Sequence, residues 1–331
     1  MGKVLDFIKN WMLPLAIMTG IVIAIVLHYC SSASAGWNGA AAFEDGFAAF
    51  AKGIQPIIVA AMLFLQFVKV SPHDLRIRRY HWLLLATQMV LFAATAVAAI
   101  LLPYGDLKVL AECAMLCFIC PTAAAAGVIT DRLGGSLPET ISYVVMMNVI
   151  AAVVIPAVVP FVNSESHLSF WHGFWAICTH TFPMLVLPLA LAWCVRYGWR
   201  SLQKKLMRYT WWAFYLWGFS LTLAIYLATR ALLNSDISMI TAVEICCVSL
   251  AACLLQFLLG RLAGKPSGRV SGITAGQSLG QKNTGFFIWI GYSYLTPVTS
   301  IAGGFYSVWQ NLVNSYELQE ERKHHKGLSN Q

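Results

Sequence analysis

Charge is what this sequence has least of. Only 11% of its 331 residues are Asp, Glu, Lys or Arg, and just 14 of them are acidic. A soluble domain carries roughly 25% charged residues, so the scarcity excludes an ordinary soluble fold. A hydrophobic content of 59% and a mean hydropathy of +0.68 point instead to a polytopic membrane protein. The sequence also has no Walker loop, no dinucleotide-binding glycine pattern on a strand, and no His/Cys/Asp cluster at metal-ligand spacing. These absences argue against the common nucleotide- and metal-dependent enzymes, and no cofactor is expected. The net charge of +8 suggests nucleic acid at first sight, but the basic residues lie in short loops between apolar runs, as in membrane proteins. Nucleic acid is therefore not an expected partner; the lipid bilayer is. The nine cysteines fall almost wholly in apolar runs and read as small packing residues. Cys117-Phe118-Ile119-Cys120 has redox spacing but no thioredoxin-like context.

A membrane-spanning helix needs about 20 apolar residues. Ten candidate spans follow: 11–29, 54–70, 80–102, 108–130, 138–161, 170–195, 209–233, 238–260, 271–295 and 297–316. No small-residue cleavage site ends the first, which reads as a retained helix. With the N-terminus in the cytoplasm, the inside segments hold 18 of the 22 Lys and Arg residues. The outside segments hold three (Lys52, Lys108, Arg230), and Lys282 lies within the ninth span. This asymmetry sets the orientation and supports the span number. It places both termini in the cytoplasm of a multi-pass protein of the plasma (inner) membrane. The outside segment from Cys30 to Gly53 contains Ala41–Phe47, expected as an amphipathic helix on the membrane surface. The polar tail 317–331 is expected as a short helical extension that frays.

Ten spans divide into two five-span halves, 1–162 and 163–316. An odd number of spans per half makes the halves opposite in orientation, the inverted repeat of many secondary transporters. The fourth and ninth spans are then equivalent, and both are interrupted. Pro121, in Cys120-Pro121-Thr122-Ala123, removes a backbone donor and clashes with the turn before it. In the ninth span, Ser278-Leu279-Gly280-Gln281-Lys282-Asn283-Thr284-Gly285 sets five polar side chains and two glycines deep in an apolar run. One such break is most often a simple kink. Two at matching positions point to a transport site, where half-helix N-termini suit an anionic group and freed carbonyls suit a cation.

Cys120-Pro121 with its small residues, Ser71-Pro72-His73-Asp74-Leu75, Gly280-Gln281-Lys282-Asn283-Thr284-Gly285 and Phe305-Tyr306-Ser307-Val308-Trp309-Gln310-Asn311-Leu312 together resemble the bile acid:sodium symporter family. The resemblance runs through nearly the whole chain in order and spacing. It implies a ten-helix all-α fold with a panel domain (spans 1, 2, 6, 7) and a core domain (spans 3–5, 8–10), the broken helices 4 and 9 crossing in the core. It also implies transport of an organic anion, bile acid-like or a small carboxylate, by alternating access. On this resemblance the ion or coupling positions are Gln88, Thr140, Ser278, Gln281 and Lys282. Substrate positions are Pro121, Thr122, Gly127, Asn283, Thr284, Gln310 and Asn311.

The chain departs from the family's sodium ligands. Ala126-Gly127 stands where the family has a Ser-Asn pair, Val144 where it has a fifth-span hydroxyl, Ser278 where it has a Glu, and Lys282 where it has a Gln. Sodium wants several oxygen ligands and benefits from a carboxylate. A sodium ion beside an ammonium in a low-dielectric place meets repulsion of several kcal/mol at an effective dielectric near 20. Lys282 therefore reads either as a cation standing in for sodium, fixed or proton-coupled, or as a structural strut paired with a carboxylate. Glu244, in the eighth span, is the candidate to neutralise it. His180, mid-span on the panel side, faces the cleft or relays protons on one reading and packs on the other. Asn148 and Gln256 are expected as interhelical hydrogen bonders. Two other functions stay open: a receptor that binds an organic anion without moving it, and a hydrolase built on a Ser278–Lys282 dyad. Oligomeric state is not readable from the sequence.

Overall fold

The structure, a computed structural model, describes residues 2–32, 39–162 and 169–329. Among these there is no strand, and the chain is helical throughout. In order the helices are α1 (Gly2–Ser32), α2 (Ala40–Phe67), α3 (Arg79–Leu101), α4 (Asp106–Ile119), α5 (Ala126–Arg132), α6 (Leu137–Val162) and α7 (Phe170–Leu185). They continue with α8 (Leu187–Gly198), α9 (Arg200–Met207), α10 (Trp212–Leu233), α11 (Met239–Gly264), α12 (Arg269–Gly280), α13 (Thr284–Tyr294) and α14 (Ser300–Ser329). Seven stretches are long and apolar enough to cross a membrane, with α7 and α8 counting as one. Val186 separates α7 from α8, where Pro188 occupies the first turn of the second helix. The chain is thus a multi-pass, all-α membrane protein.

The other expected spans fall short of that length or apolarity for visible reasons. The fourth is split into α4 and α5, of 14 and 7 residues. The ninth is split into α12 and α13, of 12 and 11 residues. The tenth begins α14, a 30-residue helix whose second half is polar.

One expectation about the flanks is corrected. Ala41–Phe47 is no separate surface helix; it forms the first turns of the 28-residue α2. Glu44 is buried there because Arg230 of α10 reaches it at 3.1 Å and Ser31 donates to it at 2.5 Å. Residues 33–38 of the same outside segment lie outside the described residues. The tail is a helical extension: α14 continues to Ser329 and is tied down by Arg261–Glu317 at 2.6 Å and by an Arg269–Glu321 pair. Glu320, one turn before Lys323, holds that exposed ammonium above its ordinary pKa through a hydrogen bond and its charge. Residues 330–331 are not described.

Packing is organised around two apolar centres. One joins α1, α2 and α10 through Ala24, Ala51, Ile58, Leu221, Ala224 and Tyr226. The larger joins α3, α4, α6, α7, α11, α13 and α14 through residues such as Phe92, Leu116, Ala151, Phe257, Phe287 and Tyr306. A third, smaller centre joins α3, α6 and α12 through Leu84, Met147 and Leu279, and beside it α11 and α12 touch backbone to backbone. A Cβ on Gly260 would lie 2.5 Å from the Ala275 carbonyl oxygen, and one on Gly264 would lie 2.2 Å from that of Ser271. Small residues permit this approach, which supplies dispersion contact where no hydrophobic effect drives helices together.

Candidate functional site

The two helix breaks meet. Thr122 and Lys282 form an isolated antiparallel bridge. Ala123 N donates to Gln281 O at 3.2 Å, and Asn283 N donates to Pro121 O at 2.9 Å. Pro121 can take part only as an acceptor, having no N–H.

A break inside an apolar bundle frees carbonyls that no water can satisfy, so the protein must supply donors. It does so from four neighbouring helices and the loop after α4. Gln88 of α3 donates to Phe118 O at 2.6 Å, and Tyr143 of α6 holds Gln88 Oε1 at 2.9 Å. Gln256 of α11 donates to Cys117 O and to the Tyr306 hydroxyl oxygen, both at 3.0 Å. Tyr306 of α14 donates in turn to Gly280 O at 2.7 Å. Thr122 donates to Ser278 O at 2.7 Å. Gln310 accepts from Lys282 N at 2.8 Å and donates to Lys282 O at 3.3 Å. Leaving any one such buried carbonyl bare costs about 1–3 kcal/mol. The break is thereby a built feature, and Gln310 clamps it.

Lys282 has no exposed surface, and its Nζ has no hydrogen-bond partner. Its titratable neighbours in electrostatic range are the thiols of Cys117, Cys120 and Cys253. Among the described residues no carboxylate pairs with it. The expected Glu244–Lys282 pairing is not formed: Glu244 lies on the exposed face of α11. Cys120 caps the C-terminus of α4, and α12 ends two residues before Lys282, so the ammonium lies close to two helix C-termini. Their partial negative charge favours a cation by about 0.3–1 kcal/mol each. The Ser278 hydroxyl is buried and unpartnered, so the two side chains form no hydrogen-bonded dyad.

The break has a second face. α13 starts at Thr284, capped by Asn283, whose Oδ1 accepts from Phe286 N at 3.2 Å. Gln55 of α2 and Ser220 of α10 lie against this first turn. Gln55 Nε2 is 2.9 Å from Ser220 Oγ, 3.2 Å from Ser220 O and 3.5 Å from Gly285 O. Further along, α13 is held to the same helices by Trp289–Lys52 O at 3.0 Å and Tyr292–Arg230 at 2.7 Å. His180 of α7 closes the row, its Nδ1 3.0 Å from the Tyr294 hydroxyl. It is exposed and sits at the far end of α13, several turns from the break.

The remaining candidates are dispersed. Gln281 donates to Gln277, whose own Nε2 donates to Glu317 at 2.7 Å; this polar row leads from the break toward α14. Gly127 is buried on α5 against Leu137. Thr140 and Asn311 donate to the carbonyls of Ser136 and Ser307 in their own neighbourhoods. Asn148 likewise bonds Val144 O within α6, so the interhelical role expected for it belongs to Gln256 alone. A cavity of about 750 Å³ lies between α11, α12 and α14, lined by Arg261, Lys265, Arg269, Glu317 and Glu321. Sequence reasoning missed Gln55 and Ser220. A glutamine within an apolar span was the available signal for the first. No family model matches the chain, and no curated protein matches it.

Proposed function

We propose that this chain is a secondary transporter of an organic anion. Its ten spans would form two inverted repeats, 1–162 and 163–316, working by alternating access in the plasma (inner) membrane with both termini cytoplasmic. The observation that carries the reading is the meeting of two broken helices through backbone hydrogen bonds, with an unpaired buried ammonium beside them. Irregular backbone at that depth costs several hydrogen bonds and is retained where it forms an ion or substrate site. The packing of α1 and α2 on α10, with α7 and α8 beside α2, supports a panel of these helices that moves against a core of the others. The resemblance to the bile acid:sodium symporter family supports the same division.

In this reading Lys282 replaces the coupling cation. It faces the thiols of α4 and α11, behind the break, while the first turn of α13 faces α2 and α10. The tethered ammonium neutralises the two helix C-termini and keeps the break in shape, and the anion binds on the other face.

The test is uptake into proteoliposomes of labelled organic anions, short carboxylates and bile acids, under sodium, proton and no gradient. Saturable uptake that is independent of sodium and lost in Lys282→Gln is expected. Uptake that stops on sodium removal and survives in Lys282→Gln would sink the assignment of Lys282. Saturable binding without flux would turn the reading to a receptor.

A further inference from the structure

The α2–α10 side of the break carries a polar pair for which the backbone repair has no use. Gln55 is fully buried, and Ser220 is 3% exposed. The Gln55 carboxamide spans α2, α10 and α13, yet its Oε1 has no partner. A buried carbonyl oxygen left bare costs about 1–3 kcal/mol. Apolar residues at these positions would avoid that cost, since the bilayer-facing and core neighbours Ile54, Ile58 and Leu221 are apolar. The pair also stands against the first turn of the 11-residue α13, whose leading N–H groups have no intrahelical acceptor. A Cβ on Gly285 would lie 3.0 Å from Ser220 Oγ and 3.1 Å from Gln55 Nε2, so the contact is direct.

We infer that Gln55 and Ser220 read the substrate: they take a neutral hydroxyl or amide group of the anion, next to the carboxylate end that meets α13. This rests on the transport reading above. Neither residue is charged, and among the described residues no Lys or Arg is bonded to either, so this wall matches a neutral donor-acceptor group and not a second carboxylate. In the present state Gln55 occupies the position itself, bonded to Ser220. A ligand hydroxyl would donate to the free Oε1 and accept from the Ser220 hydroxyl, replacing no charge and leaving no buried atom bare. An anion lacking that group leaves Oε1 bare as it is now and forgoes the bond. Sites built to bond a hydroxyl discriminate strongly against its absence for this reason.

The experiment uses the full chain and matched acids with and without a hydroxyl: lactate and propionate, 3-hydroxybutyrate and butyrate, cholate and 5β-cholanate. Two readouts are taken, proteoliposome uptake and ligand-induced thermal stabilisation of the purified protein, which needs no flux. The wild type should favour the hydroxylated member of at least one pair about tenfold, the worth of one well-placed hydrogen bond. In Gln55→Leu and in Ser220→Ala the ratio should fall to about one. A ratio that stays at its wild-type value in both variants overturns the inference while leaving transport intact. A wild-type ratio of about one in all three pairs by both readouts overturns it too. Stabilisation with the expected ratio but no uptake upholds the polar-reading pair and refutes transport. A monodisperse elution profile for Ser220→Ala guards against misfolding, because that change leaves the Gln55 bond to the Ser220 carbonyl in place.

Discussion

Replacing Lys282 by methionine should make the protein more stable and inactive. The ammonium is fully buried, no carboxylate reaches it, and its Nζ makes no hydrogen bond. An uncompensated ion in such a place carries an effective desolvation cost of several kcal/mol. Set against this, two nearby helix C-termini contribute about 1 kcal/mol each, and the thiols little more. Methionine has a similar unbranched length, fills the same volume and packs well beside sulfur, so no cavity opens. Substituting well-packed apolar residues for buried charges is commonly neutral or stabilising by about 1–4 kcal/mol. The net expectation is a gain of about 1–3 kcal/mol. At roughly 2–4 °C per kcal/mol, that is a rise in Tm of about 2–12 °C. Thermal unfolding in detergent followed by tryptophan fluorescence measures it, with organic-anion uptake assayed on the same preparation. A fall in Tm would refute the reasoning, because it would mean that the ammonium holds the break together through contacts that its burial and orphaned Nζ do not reveal. A rise with uptake intact would leave the stability argument standing and remove Lys282 from the transport cycle.

Three further outcomes follow from geometry. Gly280→Ala would set a Cβ 2.4 Å from Cγ of Phe257, over 1 Å inside ordinary contact. Such overpacking should cost about 1–3 kcal/mol in thermal unfolding, and Phe257→Leu should restore most of it in the double variant. Gln256→Leu bares Cys117 O and removes a donor from Tyr306, two losses at one position, and should lower stability by about 2–4 kcal/mol. Arg230→Met should cost about 3 kcal/mol by stranding the buried Glu44 carboxylate, whereas Lys323→Ala, which breaks an exposed pair one turn apart, should leave the melt unchanged.

The breaks were legible in the sequence because a proline and a polar cluster are both costly within an apolar span. Their partners were not. Gln88, Gln256, Tyr306 and Gln310 come from three different helices, and which carbonyl each meets depends on how those helices are rotated. A membrane helix that is apolar all round gives little sign of that rotation. Glu244 illustrates the point. The buried face of α11 runs through Ile245, Ser249, Ala252, Gln256 and Gly260. Glu244 is one residue away from it, a turn of about 100°, and so faces outward with Cys247, Ala251 and Leu254. The same limit explains the missed burial of Glu44, since its arginine partner lies 186 residues further on.

The separation of the break into two faces bears on how a gradient could be used. A diffusible cation stabilises the site when bound and takes energy from its own gradient when it leaves. A cation fixed to the chain does the first and not the second. On the proposed reading, Lys282 therefore maintains the geometry that a bound ion would maintain, but it cannot draw on a sodium gradient. The anion must then move down its own electrochemical gradient, unless a proton travels with it. The structure offers one polar row from the break toward a charged cavity, Gln281 to Gln277 to Glu317 and Arg261. That row ends on a carboxylate already bonded to an arginine. A proton using it must first be taken up against that ion pair, which makes the row a poor conductor at rest. On that reading the fixed charge favours facilitated movement of the anion over concentrative uptake, and Ser278 and Lys282, which stand where the resembled family has a Glu and a Gln, act together.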